Sequence, residues 1–320
     1  MRVLVTGMGG ELGTRVVNLL EERPDVEAVA GIDTDPPRRR IHRAEFHRID
    51  PRDRHRTVAV IRDFAPTALV HLGVYEPNAR TGPRSARDRT AAGAIAVLGA
   101  AAELGSLDRI VVRSGIEVYG RRRGANTRPD EAVVADPTSP FGRSLLHTER
   151  VSLDAGDEAD VPVTRLRFAP IVGPHFPSPL GRYLRLPAVP VSAFSDLPFS
   201  LIHQEDAAAA IVAAVGASFD GAVNVVAPGA VTASQAARLG GRLPIPIAGP
   251  AWALAKVAAE LLGAPLPDHT RELLVRGRTA DGALATDVLG LEPAFRTPEV
   301  VKHLYEWASV TYLRVMDSAA

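Results

Sequence analysis

The stretch "RVLVTGMGGELGTRVVNLLEE", residues 2–22, decides the fold. Residues 2–6 form an aliphatic run of strand length, and residues 11–22 put Leu12, Val16, Leu19 and Leu20 on one helical face. Between them Gly7, Gly10 and Gly13 make the pattern TGxxGxxG. A turn that carries the chain from strand to helix over a pyrophosphate must be tight, and its backbone must approach the phosphates without a Cβ in the way. The helix start, here Glu11 and Leu12, then offers unpaired N–H groups and a favourable dipole to the anion. Asp33 follows Gly13 by twenty residues and ends the second strand-like run, "VEAVAGID" (26–33). A carboxylate there accepts hydrogen bonds from an adenosine ribose. Loop, helix start and acidic residue together predict a dinucleotide site.

Working outward, "AEFHRID" (44–50), "TALVHLG" (67–73), "DRIVVRS" (108–114) and "VPVTRLRF" (161–168) read as further strands, with a helix-like stretch over 84–104. Strand, helix and strand at this spacing predict an α/β fold, a doubly wound parallel sheet of the Rossmann kind covered on both faces. Residues 1–165 are expected to be the dinucleotide-binding domain. Residues 166–320, richer in proline and with shorter elements, are expected to be mainly a smaller α+β substrate-binding lobe with segments returning to the sheet. In "DTDPPRRR", Arg38, Arg39 and Arg40 raise the possibility of a clamp on a ribose 2′-phosphate. Asp33 would repel that phosphate, so the arginines read as a solvated loop and NAD is expected over NADP.

The bulk composition excludes several classes of function. Lys plus Arg and Asp plus Glu are both 37 among 320 residues, and a chain of zero net charge lacks the long-range pull toward phosphate that nucleic-acid and anionic-membrane binders use. With no cysteine there is no disulfide, thiolate metal site or cysteine nucleophile. The nine histidines show neither i,i+4 nor His-x-His pairing, so no metal site is expected. Lys256 and Lys302 are the only lysines. The chain enters directly into a strand-like run without the pattern of a signal peptide, and its Ala-rich runs at 90–102 and 207–219 are too short to span a bilayer. A cytoplasmic location is expected.

At this point the sequence resembles the extended short-chain dehydrogenase/reductases, the NAD-dependent epimerase/dehydratase group, and within it the sugar-nucleotide 4-epimerase-like proteins. "TGMGGELG" resembles the family's glycine loop, "RIDPRD" (48–53) its adenine-contacting segment, and "VHLGV" (70–74) its "HLAA" strand end. "SGIEVYG" (114–120) is similar to "SSxxVYG", "LIHQEDAAAAI" (201–211) to "FVHVDDVAxAI", and "DGALATDVLGLEP" (281–293) to "DxSKAxxxLGxxP". "VGP" (172–174) and "GAVNVVAPGAVTASQAA" complete the series, in family order and over essentially the whole chain. The resemblance implies that Asp50 and Pro51 lie near the adenine, and that Leu72, Gly73, Val74, Thr90 and Ser114 border the cofactor. It also implies a homodimer built from the helices around 84–104 and 141–155.

The departures fall on the chemistry. The family's proton-handling Ser/Thr, Tyr and Lys correspond to Gly115, Phe141 and Leu145. Pro170 takes the place of an Asn that usually touches the sugar, and Phe199 that of an Arg that commonly meets the diphosphate. Phenylalanine and leucine exchange no proton, and hydride removal from a carbinol needs a base near neutral pH. Glu117, Tyr119 and His147 are the candidate replacements. Each has a plainer reading: a strand-end Glu paired with an Arg, a buried Tyr with a satisfied hydroxyl, and an exposed or interface His. His203 and Asp206 read as structural, with Asp206 capping a helix that starts at Ala207. The leading expectation is therefore a NAD-binding, epimerase/dehydratase-like protein with a degenerate active site, acting as a cofactor-dependent binding or regulatory protein or as a weak catalyst on an unidentified small molecule. The alternatives are a true oxidoreductase, epimerase or lyase using replacement residues on an apolar or sugar-derived substrate, and a subunit that pairs with an active paralogue.

Overall fold

A computed structural model describes residues 1–50, 52–78 and 81–306; Pro51 lies outside them. In chain order the elements are β1 (Arg2–Thr6), α1 (Glu11–Glu21), β2 (Ala28–Asp33), β3 (Glu45–Arg48), α2 (Arg54–Phe64), β4 (Ala68–His71), α3 (Pro83–Ala102), β5 (Arg109–Gly115), α4 (Pro140–Ala159) and β6 (Val163–Phe168). There follow β7 (Ile171–Val172), α5 (Pro179–Leu184), β8 (Ala188–Ser192), β9 (Ile202–His203), α6 (Gln204–Ala217), β10 (Gly221–Val225), α7 (Ala233–Leu239), β11 (Leu243–Ile247), α8 (Ala251–Leu261), α9 (Asp268–Arg276), α10 (Ala283–Leu289) and α11 (Thr297–Tyr305). One turn of 3-10 helix spans Ile116–Tyr119.

The central sheet has seven strands in the order β10-β6-β5-β4-β1-β2-β3, all parallel. Its order reverses between β1 and β4, which opens a crevice at their carboxyl ends, the usual ligand position in such sheets. Strand alternation fixes the two core layers. Val3 and Val5 pack with Leu12, Val16 and Leu20 of α1 on one face, whereas Leu4 packs with Ile61, Val97 and Leu98 of α2 and α3 on the other. Two short parallel ribbons, β8 with β11 and β7 with β9, lie in the second half of the chain. Among the described residues no helix is long and apolar enough to cross a membrane.

One expectation is corrected. The helix after "LIH" starts at Gln204, not Ala207, and His203 is its cap, its Nδ1 accepting from Glu205 N at 3.3 Å. Asp206 instead accepts the N–H groups of Ala294 and Phe295 and ties α6 to the start of the last helix segment. In α3, Gly93, Ala94, Val97, Leu98, Ala100 and Ala101 are buried within the chain, and Ile95 is the large apolar residue that α3 leaves half exposed.

Candidate active site

The phosphate loop has the shape its glycines demand. Gly7 takes φ +75°, and a side chain there would sit 2.9 Å from the Leu72 carbonyl oxygen. A Cβ on Gly13 would fall onto the Gly7 carbonyl, because α1 starts in contact with the loop. Gly10 is less crowded: a Cβ there meets only the Gly7 oxygen, at 3.3 Å. This is a cradle that a Cβ would fill, and the residues present fit a pyrophosphate. Glu11 and Leu12 are buried in the first turn of α1.

Asp33 holds the loop as well as closing β2. Its Oδ2 accepts from Gly9 N (2.9 Å) and its Oδ1 from Thr34 N (2.6 Å). Burial raises its pKa, and the backbone N–H groups of Asp35, Thr34 and Gly9 oppose that shift. Of the three loop arginines, Arg39 reaches Glu11 at 3.3 Å while Arg38 and Arg40 are exposed. Asp50 is gripped by Arg52, with Nη2 to Oδ2 at 2.6 Å, and its pKa is lowered to about 2 by that guanidinium. Leu72 and Val74 are buried beneath Gly73 at the end of β4. Thr90 has both its hydrogen bonds inside the protein, accepting from Tyr75 N and donating to Ala86 O, and it is fully buried. At the switch point itself Thr6 Oγ1 meets His71 Nδ1 at 2.9 Å. Burial lowers the His71 pKa to about 4, so the ring is neutral in ordinary buffers.

Beyond the ends of β5 and β6 lies a cavity of about 40 Å³ lined by Arg113, Ser114, Gly115, Glu117, Phe141 and Leu145, closed by the loop after β6 and by α9. It is here that the three departures meet. Leu145 is 2% exposed. A Cβ on Gly115 would lie 3.1 Å from Leu145 Cδ1 and nearer still to Glu117 Oε2. The buried leucine fills the space opposite Gly115, where an added side chain would press on it and on Glu117. Phe141, in the first turn of α4, stacks its ring on His269 of α9 with centroids 4.5 Å apart. Phe199 is fully buried between Val231 and Arg278, bridging both backbones, and Pro170 lines the cavity.

The candidate replacement residues separate in this frame. Glu117 borders the cavity, but its Oε1 lies 3.5 Å from Arg278 Nη1, and Arg278 also holds Glu272 at 2.8 Å. It is the ion-paired glutamate of the plainer reading. Tyr119 donates to Asn224 Oδ1 (2.8 Å) and accepts from Arg167 Nη1 (3.0 Å), so its hydroxyl is saturated and turned from the cavity. His147 is exposed on α4 and does not line the cavity. Neither of these two residues lines this cavity. Ser114 lines the cavity, yet its hydroxyl donates to Glu149 Oε1 at 2.5 Å. Glu149 in turn takes a two-pronged bond from Arg167, at 2.9 and 2.8 Å, which holds α4 against β5 and β6.

Three residues at the cavity were not singled out in the sequence: Arg113, Glu76 and His269. His269 Nε2 meets Glu76 Oε1 at 2.9 Å. Arg113 lines the cavity without a hydrogen bond or ion pair among the described residues. Burial pulls its pKa down, and the charges of Glu76 and Glu117 push it back up. The signal was an arginine inside a parallel strand, where both faces are buried and near-continuous apolar residues are the rule.

Residues 3–226 match the model of the NAD dependent epimerase/dehydratase family. An uncharacterized protein of Mycobacterium tuberculosis is 30% identical across 97% of this chain and 84% of its own length. The UDP-glucose 4-epimerase of Azospirillum brasilense is 29% identical over 176 residues, 54% of this chain and 49% of the relative. Among solved structures, the UDP-glucose 4-epimerase of Thermotoga maritima with UDP-glucose aligns with a TM-score of 0.75 at 20% identity, covering 96% of this chain and 98% of that one. The UDP-glucuronic acid 4-epimerase of Bacillus cereus, in complex with UDP-glucuronic acid and NAD, gives 0.74 at 17% identity with the same coverage. A sheet wound in this order, a glycine cradle before α1 and a family match over most of the chain have one reading: the chain belongs to the NAD-dependent epimerase/dehydratase family.

Proposed function

We propose that the protein binds NAD on the β1–α1 loop but has lost the tyrosine–lysine chemistry by which a sugar nucleotide would be oxidised, so that toward UDP-sugars it is a binding protein or at most a weak catalyst. When bound, NAD supplies a hydride acceptor. Gly7, Gly10 and Gly13 would hold its pyrophosphate, and Asp33 its adenosine ribose. The observation that carries the reading is the packing of Leu145 against Gly115. Buried leucine occupies the position from which a cation would tune a base, and a side chain at 115 would press on Leu145 and Glu117. A homodimer through the outer faces of α3 and α4 belongs to the same proposal, with the half-exposed Ile95 on its surface. Calorimetry with NAD, NADP and UDP-glucose tests the reading. NAD is expected to bind, NADP more weakly because Asp33 opposes a 2′-phosphate, and UDP-glucose poorly; tight UDP-glucose binding together with turnover would overturn it.

A further inference from the structure

The cavity has lost one acid–base system and contains another. His269 lies in the first turn of α9, fully buried, with its ring tilted 35° on Phe141, beside the position where the family's tyrosine stands. Glu76, from the loop after β4, meets its Nε2 at 2.9 Å. An ionised carboxylate only accepts, so Nε2 carries the ring proton and Nδ1 is left as the basic nitrogen. Among the described residues nothing hydrogen-bonds Nδ1. The same cavity holds Arg113. The two acidic residues that line the cavity with it are engaged elsewhere, Glu76 with His269 and Glu117 with Arg278, and among the described residues no carboxylate lies within ion-pair distance of it. Phe141, Leu145, Phe168, Phe176 and Leu273 supply an apolar wall, and Ser114, Ser178 and Thr270 add hydroxyl groups to the lining.

We propose that this cavity takes a small hydroxycarboxylate, with Arg113 holding the carboxylate and His269 accepting the hydroxyl proton in the orientation that Glu76 imposes. The proposal rests on the reading that NAD is held by the glycine loop and that sugar nucleotides are not the substrate. A guanidinium recognises a carboxylate by charge and by its planar fork, and it does so more strongly where water is excluded. An imidazole steadied by a carboxylate accepts a proton near neutral pH. A cavity of about 40 Å³ favours a skeleton of few carbons. The step balances as an alcohol oxidation: the hydroxyl proton goes to His269 Nδ1, the carbinol C–H leaves as hydride to the nicotinamide of NAD⁺, and an oxocarboxylate, NADH and one proton result. His269 is then a catalytic residue, and Glu76 a positioning residue that acts through it.

The first experiment uses the unmodified protein saturated with NAD and compares lactate with propane-1,2-diol, which replaces the carboxylate by a hydroxymethyl group, together with 2- and 3-hydroxybutyrate. Calorimetry is expected to show at least one hydroxy acid binding about 30-fold or more tightly than the diol, the scale of a buried charge-assisted pair. Arg113→Met is expected to abolish that preference, raising KM with little change in kcat. NADH absorbance with the bound hydroxy acid is expected to fall about 10²–10⁴-fold in His269→Gln. Glu76→Gln is expected to lower kcat with little change in KM, while Glu76→Asp recovers part of the loss, because the carboxylate acts by orienting the His269 ring. Equal affinity for diol and acids, or unchanged turnover in His269→Gln, would overturn the proposal. Failure of NAD to bind, measured beforehand without any acid, would instead sink the reading beneath it.

Discussion

Replacing Gly115 with serine puts back a hydroxyl where the family keeps one, and the structure says what this costs. The new Cβ would sit 3.1 Å from Leu145 Cδ1, a few tenths of an ångström inside ordinary contact, and closer to Glu117 Oε2. Leu145 has no free volume to retreat into, being 2% exposed. Glu117 is able to move only by leaving Arg278, which is equally buried and whose Nε already lacks a hydrogen-bond partner. Overpacking of a filled core costs about 1–3 kcal/mol, and displacement of the carboxylate from its cation puts Gly115→Ser at the upper end of that range. Urea unfolding with a double-mutant cycle reads it out. Leu145→Ala alone is expected to lose about 2–5 kcal/mol through its cavity. The double variant Gly115→Ser/Leu145→Ala is expected to lose less than the sum by about 1 kcal/mol, because the two side chains compete for one space. A Gly115→Ser protein with wild-type stability, or strict additivity in the cycle, would refute the idea that the two positions were repacked together.

Three further predictions follow from separate parts of the molecule. Gly10→Val is expected to abolish NAD binding in calorimetry while thermal stability stays near wild type, since a Cβ at Gly10 meets only the Gly7 oxygen; retained affinity would make the loop only a turn. Folding lowers the His71 and His203 pKa values from the ordinary 6.5 to about 4 each, so below pH 6.5 the unfolded chain binds protons that the native chain refuses. Stability should be full above pH 6.5 and fall toward pH 4, by up to about 3 kcal/mol per histidine, and His71→Asn should remove about half of that slope in urea titrations; equal slopes in variant and wild type would contradict the assignment. Light scattering at micromolar concentration is expected to give twice the mass of the chain, and a monomer would end the proposal that the outer faces of α3 and α4 pair.

What was legible in the sequence followed physical regularity. The run from Arg2 to Asp33 carries strand period, glycine spacing and helical period in succession, and the structure places β1, α1 and β2 there. Helix α2 gives a weaker signal, because "RHRTVAVIRDF" interleaves its apolar residues with charged ones and buries Thr57, Ile61 and Phe64 alone. The seventh strand, β10, carries Asn224 in its centre, whose side chain closes a network with Tyr119 and the Asp281 carbonyl. The repacked positions were legible because single residues at fixed places in a motif announce a loss. The dyad was not: Glu76 and His269 are 193 residues apart, and nothing local to either marks the other. Pairing across such a distance is a product of the fold, since the sheet brings the end of β4 to α9. Arg113, in the interior of the buried strand β5, is the available hint that charged chemistry lies at this end of the sheet.

We propose that the dinucleotide half of the site is intact while the sugar-oxidising half lacks its tyrosine and lysine. Incubation of the purified protein with UDP-galactose and saturating NAD, followed by sugar-nucleotide chromatography, tests it most directly. Positioned acid–base catalysis contributes about 10²–10⁴-fold to such a step, so no UDP-glucose above the enzyme-free control is expected while NAD binds in a parallel titration. Epimerisation that persists through purification to homogeneity would contradict the account.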